Sequence, residues 1–132
     1  MQVYKLWSPI MERDMDLIRH LLLFVEKDSL FDGRAMISPE IPSDFGADHY
    51  SLDQVAYHVG LLIEAGLLKG AVGPVAPYVS RLTWQGHEFL DDIRDQAIWA
   101  KTKERIQGLS SVALSIVGEI AKAEIKKKLG LA

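Results

Sequence analysis

Cysteine is absent from all 132 residues. That excludes a disulfide framework, thiol catalysis and cysteine-ligated zinc, and it fits a reducing cytoplasm. Long apolar runs are missing too. The longest, such as Leu21 to Val25, are far too short to cross a bilayer, so no membrane partner is expected. The opening MQVYKLWSPIM has no apolar signal-peptide core, and no leader is expected. No HExxH, G-x-S-x-G, P-loop or G-x-G-x-x-G occurs, so an assembled catalytic site, a metal, a cofactor and a small-molecule ligand are all unexpected. Positive charge is scarce over most of the chain. Residues 1–96 hold eight Lys/Arg against fifteen Asp/Glu, a net of −7. Residues 97–132 hold seven against three, a net of +4, so any nucleic acid contact should involve the C-terminal part.

What is present is ordinary for one soluble domain: 48% hydrophobic and 25% charged residues. Leu17, Ile18, Leu21, Leu22 and Val25 repeat at helical spacing and predict a helix over about 12–28. Gly33, Pro39, Pro42 and Gly46 argue against a helix in 29–50. A short edge strand around 35–41 and an exposed loop are expected there. Ser51 with Gln54 is a capping box for a helix that Gly66 ends. Leu52, Val55, Ala56, Val59, Leu62 and Ile63 form its inward stripe. Leu67 to Val72 and Tyr78 to Thr83 read as hairpin strands around Gly73, Pro74 and Pro77. Strict alternation would put Val79, Arg81 and Thr83 on one face and Tyr78, Ser80 and Leu82 on the other. Thr83 suits a cap for the next helix, with Phe89, Leu90 and Ile93 inward. The helical pattern continues from Gln96 to Gln107, either straight on or with a bend near Asp95, and breaks at Gly108. Ser110 or Ser111 would start a last helix to about Lys128, with Val112, Ile116, Val117 and Ile120 inside.

This order is the α+β, mostly helical pattern of a winged-helix-like domain with a small β-hairpin as its wing and C-terminal helices. The expected organisation is an N-terminal extension at 1–11, a winged-helix-like core at 12–95, and a helical extension at 96–132 packing on the same domain.

Three segments carry a family resemblance: ERDMDLIRHLL (Glu12 to Leu22), SLDQVAYHVGLLIEAGLL (Ser51 to Leu68) and LTWQGHEFLDDIRDQAIWAKTK (Leu82 to Lys103). They resemble an uncharacterised bacterial and prophage family, one of the domains of unknown function. The resemblance implies a winged-helix-like fold and association with mobile elements, and it implies no activity. Its signature residues Arg13, Asp14, Asp16, Trp84, Gly86, His87, Asp91, Arg94 and Trp99 are expected to be structural, with the Trp84 and Trp99 rings bracing the last helices against the hairpin and Arg94 pairing with nearby acids.

Two functions follow from this scaffold. As a non-enzymatic regulatory or adaptor module, the chain would meet a protein partner or a second copy through Tyr57, Tyr78 and Trp84 with the apolar hairpin tip, Val72 to Val79. The tail's apolar positions Leu109, Ile116, Ile120 and Ile125 offer a second surface for a further copy, but they and Trp84 are expected in the core instead. As a DNA-binding regulator, it would use helix 51–66, whose outward residues are expected to be Asp53, Gln54, Tyr57, His58 and Glu64. Gln54, Tyr57 and His58 would make the contacts, with Lys69 and Arg81 on the wing. That helix has no Lys or Arg, which weighs against DNA because phosphate neutralisation supplies most non-specific affinity. The test is spatial: DNA gains if Lys69, Arg81, Lys101, Lys103 and Arg105 converge beside that helix. The i, i+4 pairs Asp16/His20 and His87/Asp91 read as ordinary helix-surface pairs.

Overall fold

The computed structural model describes residues 12–110 and 112–131. Helix α1 spans Met15–Lys27, a 3-10 turn Pro42–Phe45, α2 Leu52–Glu64, β1 Leu68–Val72, β2 Pro77–Leu82, α3 Trp84–Ile93, α4 Gln96–Ile106 and α5 Leu114–Lys128. The protein is mostly helical with one antiparallel two-stranded hairpin, the expected α+β class. The expected extension at 1–11 lies outside the described residues. The chain forms two compact units that divide between Gly86 and His87, within α3.

In the first unit, α1 buries Leu17, Ile18, Leu21, Leu22 and Val25, the stripe its spacing predicts. Asp14 caps it by accepting from Leu17 N at 3.0 Å. Helix α2 buries Val55, His58, Val59 and Leu62. Leu52, Ala56 and Ile63 are only half-buried, so the inward stripe is narrower than expected and rotated toward His58. Ser51 and Gln54 form both arms of the capping box, at 3.1 and 3.0 Å. Beyond the helix, Gly66 has φ +77°, and Leu67 N–H reaches Leu62 O at 2.9 Å. This is the Schellman closure expected of that glycine.

Residues 29–50 correct the expectation of an exposed loop. Phe31, Phe45 and Ala47 are buried, and the Phe24, Phe31 and Phe45 rings cluster with centroids 5.3–6.2 Å apart. Pro42 starts the 3-10 turn that the Pro/Gly content argued against. The edge strand reduces to one bridge: Ile37 and Val79 exchange two 2.8 Å backbone bonds. Aromatic side chains override local propensity here by joining the core.

The hairpin pairs Leu68 with Leu82, Lys69 with Arg81, Gly70 with Val79 and Ala71 with Tyr78. The register shifts between Lys69 and Gly70, leaving Ser80 as the extra residue of a bulge. Alternation therefore fails. Val79 and Ser80 are both buried, while Tyr78 and Arg81 are both exposed. A Cβ at Gly70 would strike the Tyr78 carbonyl, so the bulge requires glycine there.

The second unit holds the rest of α3 with α4 and α5. Asp95 starts α4 by accepting from Ile98 N at 3.0 Å, so the helical run breaks beside Arg94. Gly108 has φ +92° and lies in the break before α5. Helix α5 begins at Leu114 with Ala113 as its cap residue, later than the expected serine start. Ser110 lies before the helix, and Ser111 lies outside the described residues. The buried positions of α5 are Val117, Gly118, Ala121 and Glu124. Ile116 and Leu109 are exposed, and Val112 and Ile120 are half-buried, which corrects the expected inward face.

Candidate functional site

The hairpin is anchored where α2 ends and α3 begins. Thr83 N–H donates to Leu67 O at 3.1 Å, Thr83 Oγ1 donates to Gly66 O at 2.5 Å, and Gly86 N–H donates to Thr83 Oγ1 at 2.9 Å. Thr83 thus caps α3, as expected, and ties it to the turn that closes α2. A Cβ on Gly86 would collide with the Leu67 carbonyl, so glycine in the Trp-Gln-Gly-His segment permits this close approach.

From that anchor the hairpin presents two kinds of surface. Its tip is apolar: Val72 is 58%, Val75 94% and Tyr78 39% exposed. The tip turns over Gly73, whose N–H bonds Ala76 O at 3.2 Å. Nearer the base, Lys69 and Arg81 stand directly opposite each other and are both exposed. Arg81 donates to Leu82 O at 2.8 Å. Among the described residues neither cation has a carboxylate partner. Two like charges opposed across strands destabilise a hairpin. Just past the base, Trp84 is 74% exposed, which corrects the expectation that it lies in the core.

Helix α2 offers the expected outward face only in part: Asp53 and Glu64 are exposed, Gln54 and Tyr57 half-buried and His58 buried. His58 is fully buried, not a surface contact. Its Nε2 accepts from Asp14 N–H at 2.8 Å and its Nδ1–H donates to Gln54 O at 2.8 Å, so the ring is held as the neutral Nδ1–H form between two helices. Tyr57 is half-buried with its ring edge-on to His58, and Gln54 is committed to the capping box. The charged residues left outside on α2 are Asp53 and Glu64.

The signature residues separate by role. Asp14 caps α1, and its neighbourhood includes Tyr50. Burial pushes the Tyr50 hydroxyl up, helped by the negative charges of Asp14 and Asp16 and a hydrogen bond to Asp14. Arg13 and Asp16 are exposed at the start of α1. His20 Nε2 bonds Gly46 O at 2.5 Å, and His20, Asp16, Arg19, His49 and Tyr50 border a shallow hollow of about 230 Å³. His87 is exposed, while Asp91 pairs with Arg94 at 2.7 Å, the ion pair expected of Arg94. Trp99 is buried in the second unit with Lys103 Nζ 5.9 Å from its ring centroid. Among the described residues no three His, Cys, Asp or Glu side chains are grouped to hold a metal ion.

The cations named as the spatial test divide between the units. Lys69 and Arg81 lie on the hairpin. Lys101, Lys103 and Arg105 lie on α4, where Arg105 Nη1 bonds Glu124 at 3.0 Å. Sequence reasoning did not single out Glu124. Its spacing from Val117 and Ala121, seven and three residues, was the available signal for a buried position.

The family model described as "Hypothetical protein (DUF2513)" matches residues 12–113. The chain belongs to the DUF2513 family. An uncharacterized protein of Haemophilus influenzae is 32% identical over 124 residues, covering 90% of this chain and 99% of that protein. No solved structure matches. The signature segments fall inside the matched range, so the Thr83–Gly86 anchor and the buried His58 belong to the family's domain in this chain. Among the described residues no helix is long and apolar enough to cross a membrane.

Proposed function

We propose that this DUF2513 member is a non-enzymatic, cytoplasmic regulatory or adaptor module of prophage origin with a winged-helix-like core. It works by protein association through its hairpin. The carrying observation is the exposed apolar tip of Val72, Val75 and Tyr78, held on an anchored two-stranded arm. Exposed Trp84 at the arm's base adds the residue type most enriched at interface hot spots. The winged-helix reading is supported by the order of α1, α2 and hairpin and by the Ile37–Val79 bridge along β2's outer edge. The prophage origin rests on the family resemblance of the signature segments.

One observation favours a second reading, DNA binding: the Lys69–Arg81 pair on the wing, which has no carboxylate partner among the described residues. Against it stands α2, which contributes no cation and exposes Asp53 and Glu64. A duplex-DNA titration at about 50 and 200 mM salt, run beside light scattering, separates the two. The adaptor reading expects little DNA binding and an association that Val75→Asp or Trp84→Ala weakens. Steeply salt-dependent DNA binding that Lys69→Glu and Arg81→Glu abolish, with Val75→Asp inert, would overturn it.

A further inference from the structure

The second unit contains a cleft that the hairpin reading does not use. Helices α4 and α5 border it, with a volume of about 290 Å³, and its lining is Ala97, Ile98, Lys101, Glu124, Lys127 and Lys128. Its single carboxylate is already engaged: Glu124 takes Arg105 Nη1 at 3.0 Å and Lys127 Nζ at 3.5 Å. Lys128 lies only at the limit of pairing with Asp95, 4.0 Å away, and both are exposed. Lys101 has no carboxylate partner among the described residues. Helix-end electrostatics account for the lysines that close α5. They do not account for Lys101, which comes from the middle of α4 to the same cleft.

We infer that this cleft docks an acidic segment of a partner protein, one in which carboxylates flank an apolar side chain. The apolar part matches Ala97 and Ile98, and the carboxylates match Lys101 and Lys128. Lysines at a rim that already neutralises its own buried acid leave a positive surplus, and that surplus selects an anionic partner. An apolar lining beneath the lysines favours a peptide side chain over a sugar–phosphate backbone. This inference does not rest on the hairpin proposal, so either can fail alone.

The test is fluorescence anisotropy of the full chain with a labelled peptide that carries a leucine between two pairs of glutamates. Binding should weaken by about tenfold in Lys101→Glu. It should weaken similarly in Ala97→Glu, which places a favourable acid in the first turn of α4 and so keeps the helix. A peptide with glycine in place of leucine should bind less well, and Val75→Asp should change nothing. Absence of binding, indifference to both variants, or tighter binding of an oligothymidylate of equal charge would overturn the inference, the last by assigning the cleft to nucleic acid.

Discussion

His58 shows how one side chain can look like a contact and serve as a joint. It is placed between a backbone donor at the start of α1 and a backbone acceptor in α2. Replacing it by leucine leaves Asp14 N–H buried without its partner. His58→Leu should therefore cost about 1–3 kcal/mol in urea unfolding, whereas a surface contact would cost almost nothing. Glutamine, which can still accept that bond, should restore part of the loss. Two glycines separate strain from collision. Gly66 has open space around it, so Gly66→Ala should cost only the left-handed penalty of about 1 kcal/mol. Gly86 faces the Leu67 carbonyl, so Gly86→Ala must move backbone and should cost more, about 1–3 kcal/mol. Equal losses in thermal or chemical unfolding would contradict this contrast.

Elements in this protein are joined through their ends. Thr83 closes β2, opens α3 and bonds the turn after α2 with one side chain. Thr83→Val keeps the shape and removes both hydroxyl bonds. It should destabilise by about 1–2 kcal/mol, with hydrogen exchange rising first in the initial turn of α3. The capping box at Ser51 and the glycine closure at Gly66 were readable as local patterns, because their partners lie within a few residues. The bulge was not readable. It depends on where β1 meets β2, and one extra residue at Ser80 turned Arg81 outward. Residues 29–50 misled for the same reason. Their prolines and glycines describe backbone, while Phe31 and Phe45 find their partner, Phe24, on another element.

For the molecule as a whole, two carboxylates of the second unit, Glu124 and Asp92, should carry opposite pH responses. Burial pushes the Glu124 carboxyl up, but the hydrogen bond from Arg105 and the charge and hydrogen bond of Lys127 outweigh it and hold the group below its ordinary range. A depressed folded value means stability that is present above the unfolded pKa of about 4.3 and lost as pH falls through the folded one. Asp92 has the opposite sign. Burial pushes it up, Lys122 at 3.4 Å offsets only part, and Glu88 and Asp91 add to the rise. Its contribution is present at low pH and lost as pH rises through the raised value. Melting temperatures across pH 3 to 7 should then show Glu124→Gln losing most at neutral pH and converging on the parent in acid. Asp92→Asn should fare better against the parent at pH 7 than at pH 3. The same trend in both variants would refute the assignment.

Composition, helical periodicity and end signals settled the α+β class, the absence of cysteine chemistry, the helical segments and the hairpin, because each depends on residues near one another along the chain; the break at Arg94 between α3 and α4 came only from the structure. Side-chain fate did not follow from them. His58 went inside and Trp84 outside, and Glu124 was buried among cations, because those outcomes depend on which distant backbone or charge arrives beside each residue. Long-range packing decided which side chains of each locally legible element face the core.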